Sequence, residues 1–185
     1  MGKGISLSHD EMAILKGLLD ELDWYADYYS HAADYDHNGL PYQQRETELY
    51  ILAEPFRPGE DIYGTAGQRL TRLRHSPPFE KAHFLRQTGY LLDFQALLRG
   101  SIVPTHYFVY LRERPAAEHP GLMTLPAGNW LCMQSRILAE PFPGPELKRY
   151  FRDQETPRLV VANEYEDNFR SFRNCIYEVQ IFQHS

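Results

Sequence analysis

The sequence predicts an α+β domain in which two pseudo-symmetric β-α-β-β repeats form an antiparallel sheet with helices on one face, preceded by an N-terminal dimerisation helix. Three observations support this prediction: a repeated hexapeptide, an order of predicted elements that occurs twice, and a heptad-spaced apolar stripe near the amino terminus. We expect the helical arm and its turn to occupy residues 1–40 and the domain to occupy residues 41–185.

The hexapeptide Ile-Leu-Ala-Glu-Pro-Phe occurs at residues 51–56 and again, letter for letter, at residues 137–142. Each copy runs into a short Pro/Gly stretch that ends in Glu60 or Glu146. With ordinary residue frequencies, a chance identity of this length has odds of roughly one in a thousand. Self-similarity at a long offset is typical of a domain built twice from one supersecondary unit. A ligand site between the two halves is therefore the first place to look for function.

The first predicted unit contains a strand, a helical region and two closing strands. Hydrophobic periodicity and the positions of Pro and Gly define these elements. Their expected bounds are a strand at 48–53, a helix at 60–74, a second helical stretch at 79–86, and strands at 89–94 and 107–111. The Pro-interrupted segment 112–121 is predicted to cross over between the halves.

The second predicted unit repeats that order. A strand at 122–125, a turn at 126–129 and a strand at 130–138 are expected to form a hairpin, followed by a helix at 146–153 and strands at 159–165 and 176–182. Because side chains alternate along a strand, the last strand is expected to place Tyr177, Val179 and Ile181 on one face.

The amino-terminal segment is predicted to be an amphipathic helix. Ser8 followed by Glu11 has the pattern of a capping box. The apolar positions then alternate in steps of three and four, at Leu15, Leu18, Leu22, Tyr25, Tyr29 and Ala32. A stripe of about three heptads is enough for a dimerisation arm over residues 8–32. The alternative is a helix packed on its own domain.

Charge and composition exclude several function classes. Residues 1–40 hold eight acids against two lysines, and the remaining acids and bases balance, so no basic patch indicates nucleic-acid binding by this chain itself. The chain has no apolar run near the roughly 20 residues of a membrane span and no signal peptide. Cys132 and Cys175 form no CxxC pair and are expected to be free thiols. These features predict a cytoplasmic protein without a membrane partner.

Four segments of the second half resemble one family. They are residues 123–130, 147–150, 160–166 and 177–181, and in the first half residues 48–56 add to them. Together they resemble the effector-binding domain of MerR-type multidrug-sensing transcription regulators, which has the gyrase-inhibitor-like fold. The resemblance covers about residues 45–183 and consists of diffuse patterns. It implies that residues 8–32 are the dimerisation helix of a homodimer, and that DNA is reached only through an N-terminal module missing from this chain.

The resemblance also implies a drug site, in which a buried acid lies inside a cage of aromatic rings and pairs with lipophilic cations. The family's acid falls on Glu166, and Glu164 has the same strand parity. The cage aromatics fall on Phe142, Tyr177 and, with a slip in the alignment, Tyr90. Pseudo-symmetry adds Trp130, Tyr63 and Phe56 as possible walls, each of which could equally be a core residue.

The sequence gives little support for a metal site, a catalytic nucleophile or a phosphate-binding loop. Residues 34–39 imitate the start of an EF-hand loop, but the twelfth position is Arg45 instead of Glu and Pro41 interrupts the loop. The eight histidines form no grouping with metal-ligand spacing. Neither a nucleophile elbow nor a phosphate-binding loop occurs. We therefore expect no catalytic residue, no metal and no cofactor.

The sequence thus predicts the ligand-sensing part of a MerR-type transcription regulator. The runner-up is a stand-alone hydrolase of the same fold, in which a central Glu and Tyr (Glu166 with Tyr177) activate water against reactive electrophilic compounds. A third possibility is an inhibitor that binds a larger protein partner.

Overall fold

The computed structural model describes residues 8–9, 34–35, 41–62, 64–135, 144–166 and 175–184. The chain divides into two units, Met1–Ala32 and Ala33–Ser185, and every element below belongs to the second unit. The strands are β1 (Asp34–Tyr35), β2 (Pro41–Arg45), β3 (Leu49–Pro55), β4 (Phe84–Leu92), β5 (Pro104–Leu111), β6 (Leu122–Leu125), β7 (Gly128–Ser135), β8 (Val160–Glu166) and β9 (Cys175–His184). The helices are α1 (Ala66–Arg74), α2 (Phe94–Leu98) and α3 (Gly144–Tyr150).

The described strands form one antiparallel sheet in the order β1-β2-β7-β9-β8-β4-β5-β3-β6. At its centre β4 pairs with β8, with Tyr90 opposite Ala162 and Gly89 opposite Asn163. An α+β domain with an antiparallel sheet is therefore confirmed. The predicted dimerisation helix lies outside the described residues, apart from Ser8 and His9.

The main core lies between one face of the sheet and the helices. Leu73 of α1, Leu97 of α2 and Leu147 of α3 belong to a single buried cluster that also contains Leu52 and Val179 of the sheet. Burying each such aliphatic side chain contributes roughly 1.5–3 kcal/mol relative to exposing it. As predicted for the last strand, Val179 and Ile181 lie in the same cluster.

The opposite face of the sheet is also apolar. Alternation places another set of fully buried residues there, namely Ile51, Phe108, Tyr110, Trp130 and Val161. Because both faces are buried, the central strands appear in the sequence as continuous apolar runs instead of alternating ones. This explains why the strand positions were easier to predict than the strand faces.

The first helical region is shorter than predicted. α1 begins at Ala66 instead of residue 60, because the Asp61 carboxylate accepts the Gly64 N–H at 3.1 Å and the Asp61 carbonyl accepts the Thr65 hydroxyl at 2.6 Å. These local bonds hold Asp61, Gly64 and Thr65 in a turn ahead of the helix. The second predicted helical stretch, 79–86, is wrong: it contains only a single 3₁₀ turn at Lys81–His83, after which β4 begins at Phe84.

Two connections also differ from the prediction. The hairpin of residues 122–138 is wrong, since β6 pairs with β3 while β7 pairs with β2 and β9. Short helix α2 was not predicted at all. Its local signal is Asp93, whose side chain accepts the Ala96 N–H at 2.7 Å and thereby caps the helix.

Candidate functional site

Three aromatic rings lie together on the helix-bearing face near the centre of the sheet. Tyr90 of β4 stacks on Phe56, with ring centroids 6.2 Å apart and an interplanar angle of 20°. Tyr107 of β5 packs edge-on against Tyr90 at 5.4 Å. Strand register explains the second contact, because Tyr90 and Tyr107 are direct cross-strand partners. Two predicted cage residues, Phe56 and Tyr90, are thus in contact. We call Phe56, Tyr90 and Tyr107 the aromatic cluster.

A half-buried carboxylate lies beside this cluster. Glu164 follows Ala162 by two residues on β8, and Ala162 belongs to the same core cluster as Tyr90. Alternation therefore places Glu164 on the helix-bearing face. Burial raises the pKa of Tyr107 to about 12, a hydrogen bond with Thr88 opposes that rise, and the Glu164 charge adds to it. Tyr107 consequently remains a protonated hydrogen-bond donor at neutral pH.

A buried guanidinium covers the other end of the cluster. Arg69 of α1 has only 3% of its side chain exposed, and its Nη1 lies 3.3 Å from Glu54 Oε1. Its Nη2 forms a second ion pair with Glu60. The Arg69 Cζ atom also lies 4.4 Å from the centre of the Phe56 ring. These aromatics therefore already accommodate one delocalised cation, supplied by the chain itself.

Trp130 lies away from the aromatic cluster. It is completely buried, and its indole N–H donates to the Pro126 carbonyl at 3.1 Å. The Arg45 Cζ atom covers the ring at 4.2 Å, and Phe182 packs against it at 5.2 Å. Its neighbour Leu131 belongs to the core beneath the helices, so Trp130 points to the opposite face. This geometry favours the core alternative for Trp130.

The remaining predicted site residues are placed only in part. Glu166 is the last residue of β8, with Cys175 as its register partner, while Tyr177 is paired with Glu164. Glu164 and Glu166 thus lie two residues apart on one strand, as predicted. Phe142 and Tyr63 lie outside the described residues.

Sequence reasoning missed Tyr107 and Arg69. Tyr107 lies in a predicted strand, but only the pairing of β4 with β5 brings its ring to Tyr90. The burial of Arg69 was not predicted, because an arginine in an amphipathic helix is expected at the solvent-facing side. The two acids that precede it in the sequence, Glu54 and Glu60, are a weak signal of that burial.

Two kinds of functional feature are absent from the described residues. In that part of the chain, no three His, Cys, Asp or Glu side chains are grouped so that they could hold a metal ion. Across the same residues, no helix has both the length and the apolar character needed to cross a membrane.

No protein-family model matches the chain, and no curated protein matches it.

Proposed function

We propose that this protein is a small-molecule sensing domain of the MerR-regulator type, and that it binds a lipophilic cation beside Glu164. The observation that carries the proposal is the placement of a half-buried carboxylate next to the aromatic cluster on one face of the sheet. Glu166, Tyr177, Phe142 and Tyr63 remain predicted contributors.

The proposed binding depends on a balance between the cost of removing the carboxylate and the cation from water and the attraction between them. A carboxylate that is partly removed from water attracts a matching cation more strongly than one in bulk solvent, because its surroundings screen the two charges less. Each aromatic ring that faces the cation adds roughly 0.5–2 kcal/mol. Arg69 above Phe56 supports this assignment, because its guanidinium uses the same combination of ring face and carboxylates.

The proposal includes an internal duplication, and the strand order supports it. The order of the eight strands β2 to β9 in the sheet is symmetric. If each of β2, β3, β4 and β5 is exchanged with its counterpart β6, β7, β8 and β9, the result is the original order read from the opposite edge of the sheet. In this arrangement the first strand of each unit pairs inside the other unit, as β6 does with β3 and β2 with β7. The pseudo-twofold axis then lies between β4 and β8, beside Tyr90 and Glu164.

In the proposed mechanism the bound cation shifts the domain relative to a dimer arm at residues 8–32. This would reposition DNA-binding modules in a complete regulator. A homodimer in the cytoplasm, with DNA contacted only through such a module, belongs to the same proposal.

Calorimetric titration with tetraphenylphosphonium tests the site directly. Tetraphenylborate is the matched probe, because it has nearly the same shape and the opposite charge. We expect the phosphonium to bind at micromolar concentrations and the borate to bind more weakly at this site. Glu164→Gln should weaken phosphonium binding about tenfold, since it removes one charge-assisted interaction.

Glu155→Gln is the control, because Glu155 is an exposed carboxylate away from the cluster. It should leave phosphonium binding unchanged. The proposal is overturned if the wild-type protein shows no binding at high micromolar phosphonium, or if the Glu164 and Glu155 variants bind it equally well.

One observation favours the hydrolase as a second candidate. Tyr107 stays protonated at neutral pH and lies near Glu164, so a hydrogen-bond donor and a possible general base share one face of the sheet. Incubation with styrene oxide, followed by chromatography of the diol, separates the two functions. Catalytic turnover that is lost in Glu164→Gln would establish the hydrolase, whereas binding without product would leave the sensor.

A further inference from the structure

A cleft of about 530 Å³ lies at the end of β3, bounded by the second half of α1, by β5, and by the turn that leads into β6. Its polar lining consists of Glu54, Arg72, Ser76, His106 and His119. The rest of the lining is apolar and includes Leu73 and Met123. A volume of this size, with an apolar wall and a few polar groups, is typical of small-molecule sites.

Glu54 is the only carboxylate among the described residues of this lining, and arginines neutralise it. Glu54 Oε1 accepts from Arg72 Nη2 at 2.7 Å and lies 3.3 Å from Arg69 Nη1. Arg69 also pairs with Glu60, and Arg57 Nε lies 3.9 Å from Glu60 Oε1. Within the lining, Glu54 and Arg72 balance each other's charge, so the cleft offers no carboxylate that would favour a cation.

The remaining polar groups are mainly hydrogen-bond donors. His119 Nδ1 accepts the Gly121 N–H at 3.0 Å, which fixes the ring proton of a neutral imidazole on Nε2. Its ring is held against Phe79, with centroids 5.6 Å apart. Among the described residues, Arg72 uses only Nη2 in a hydrogen bond, which leaves Nε and Nη1 as further donors.

His106 adds a different polar group from β5. The Thr105 hydroxyl donates to the Leu91 carbonyl at 3.2 Å, so its oxygen accepts the His106 Nδ1–H at 2.9 Å, and the Nε2 of a neutral His106 ring is an acceptor. The half-buried ring supplies one more polar contact in a mostly apolar wall. The Ser76 hydroxyl donates to the Arg72 carbonyl at 2.9 Å and can still accept.

We propose that this cleft is a second ligand site, which binds a small organic anion with an apolar body and a carboxylate directed at Arg72 and His119. A planar guanidinium and an imidazole N–H are the donors that carboxylates prefer, because both give charge-assisted or well-directed hydrogen bonds. The apolar body packs against the Leu73 and Met123 side of the cleft. This assignment depends on neither the cation site nor Glu164.

The charge requirement is tested with three probes of the same shape: 2-naphthoate, neutral 2-naphthamide and the cation 2-naphthylmethylammonium. Binding to the 185-residue chain is measured by calorimetry, and the location of the bound probe by heteronuclear NMR shifts of the Gly121 and Met123 amides. We expect naphthoate to bind at least tenfold more tightly than the other two, with shifts confined to the cleft.

Arg72→Gln and His119→Phe remove the donors separately. Phenylalanine keeps the ring that packs on Phe79 but cannot accept the Gly121 N–H, so the thermal unfolding of this variant is measured together with its binding. Each should weaken naphthoate binding about tenfold, as expected for the loss of a hydrogen bond to a charged group. Arg149→Gln is the matched control, because Arg149 is 78% exposed in an ion pair of 3.8 Å on α3.

The proposal is overturned if naphthamide or the ammonium probe binds as tightly as naphthoate, or if Arg72→Gln weakens naphthoate no more than Arg149→Gln does. Glu164→Gln separates the two sites: unchanged naphthoate binding in that variant supports an independent anion cleft, and parallel loss of both ligands contradicts it.

Discussion

Arg69 holds a positive charge where only 3% of its side chain is exposed. Two carboxylates, Glu54 and Glu60, and the Phe56 ring surround it, and the Pro55 carbonyl lies 3.4 Å from Nη1. A buried cation is tolerated only when such partners replace water. Arg69 therefore fixes the position of α1 over the end of β3, close to both proposed sites.

Replacing this residue should lower stability. Arg69→Met keeps much of the volume but leaves Glu54 and Glu60 facing an apolar side chain. We expect the free energy of unfolding to fall by about 2 kcal/mol, less than for a fully buried pair because both carboxylates keep about a quarter of their exposure. Urea unfolding measures the change. Arg57→Ala, with an 88% exposed side chain, should change stability by less than about 0.5 kcal/mol.

Tyr107 should make the protein sensitive to alkali. Its pKa is raised to about 12 in the folded state, above the ordinary value of 10.0. The folded protein then retains a proton that the unfolded chain releases, so the contribution is complete below pH 10 and is lost as pH rises toward 12. We expect the free energy of unfolding to drop by about 1 kcal/mol between about pH 9 and 11.

Urea unfolding at several pH values tests this expectation against Tyr107→Phe, which cannot titrate. The two proteins should diverge as the solution becomes more alkaline, with the wild type losing more. Parallel pH profiles would contradict the assignment of a raised pKa to Tyr107.

At the scale of single residues, the sequence predicted Phe56, Tyr90 and Glu164 as site residues but not Tyr107 or Arg69, which the structure places against Tyr90 and Phe56. The family-like pattern indicated which residues carry suitable chemistry. Contact between Tyr90 and Tyr107 depends on the register of two strands that are separated by α2 and its loops. Such long-range pairing leaves no local trace in the sequence.

At the scale of elements, strand positions were predicted better than helix positions. Apolar runs revealed β3, β5, β8 and β9 to within a few residues. Helices α1, α2 and α3 are short, between five and nine residues. Each is therefore too short for a helical pattern of apolar residues to be recognised in its sequence. The starts of α1 and α2 are instead defined by local hydrogen bonds in which the Asp61 and Asp93 carboxylates accept backbone N–H groups.

Gly89 is required where β4 passes β8. A Cβ atom at this position would lie 2.4 Å from the Ala162 carbonyl oxygen and 2.7 Å from the Phe108 ring. Since the backbone oxygen cannot move without disturbing the central strand pair, Gly89→Ala should cost roughly 1–3 kcal/mol of unfolding free energy.

Gly67→Ala provides the matched comparison. A Cβ atom there meets nothing within 4 Å, and the position lies inside α1. The substitution should therefore stabilise the protein by roughly 0.5–1 kcal/mol. Thermal and urea unfolding of both variants would reveal opposite signs. Equal effects would argue against close approach of the strands at Gly89.

At the scale of the whole molecule, the dominant feature of the described sheet is the long-range pairing of its short strands β2 and β6. β2 pairs with β7 and β6 pairs with β3, so each contact joins segments that are far apart in the chain. Formation of the sheet is therefore expected to be cooperative. A single unfolding transition, monitored by two probes, is the expected observation.

The predicted amino-terminal helix gives a prediction at the same scale. Sedimentation equilibrium should detect a dimer, and Leu18→Glu combined with Leu22→Glu should convert it to a monomer, because charges replace the apolar stripe. Lys16→Glu should leave the dimer intact. A monomeric wild-type protein would instead favour the alternative of a helix packed on its own domain.

The sequence alone determined that this chain forms an α+β domain with apolar strands, and it indicated several of the aromatic and acidic residues beside the proposed cation site. Composition and local alternation are enough for such conclusions, since both are encoded within a few neighbouring residues. Only the tertiary structure decided which strands pair, which face each aromatic ring occupies, and that Arg69, Tyr107 and the cleft lined by Arg72 and His119 lie where ligands could be held. These features depend on hydrogen bonds and packing between segments far apart in the chain, where the free energy of one contact depends on all the others.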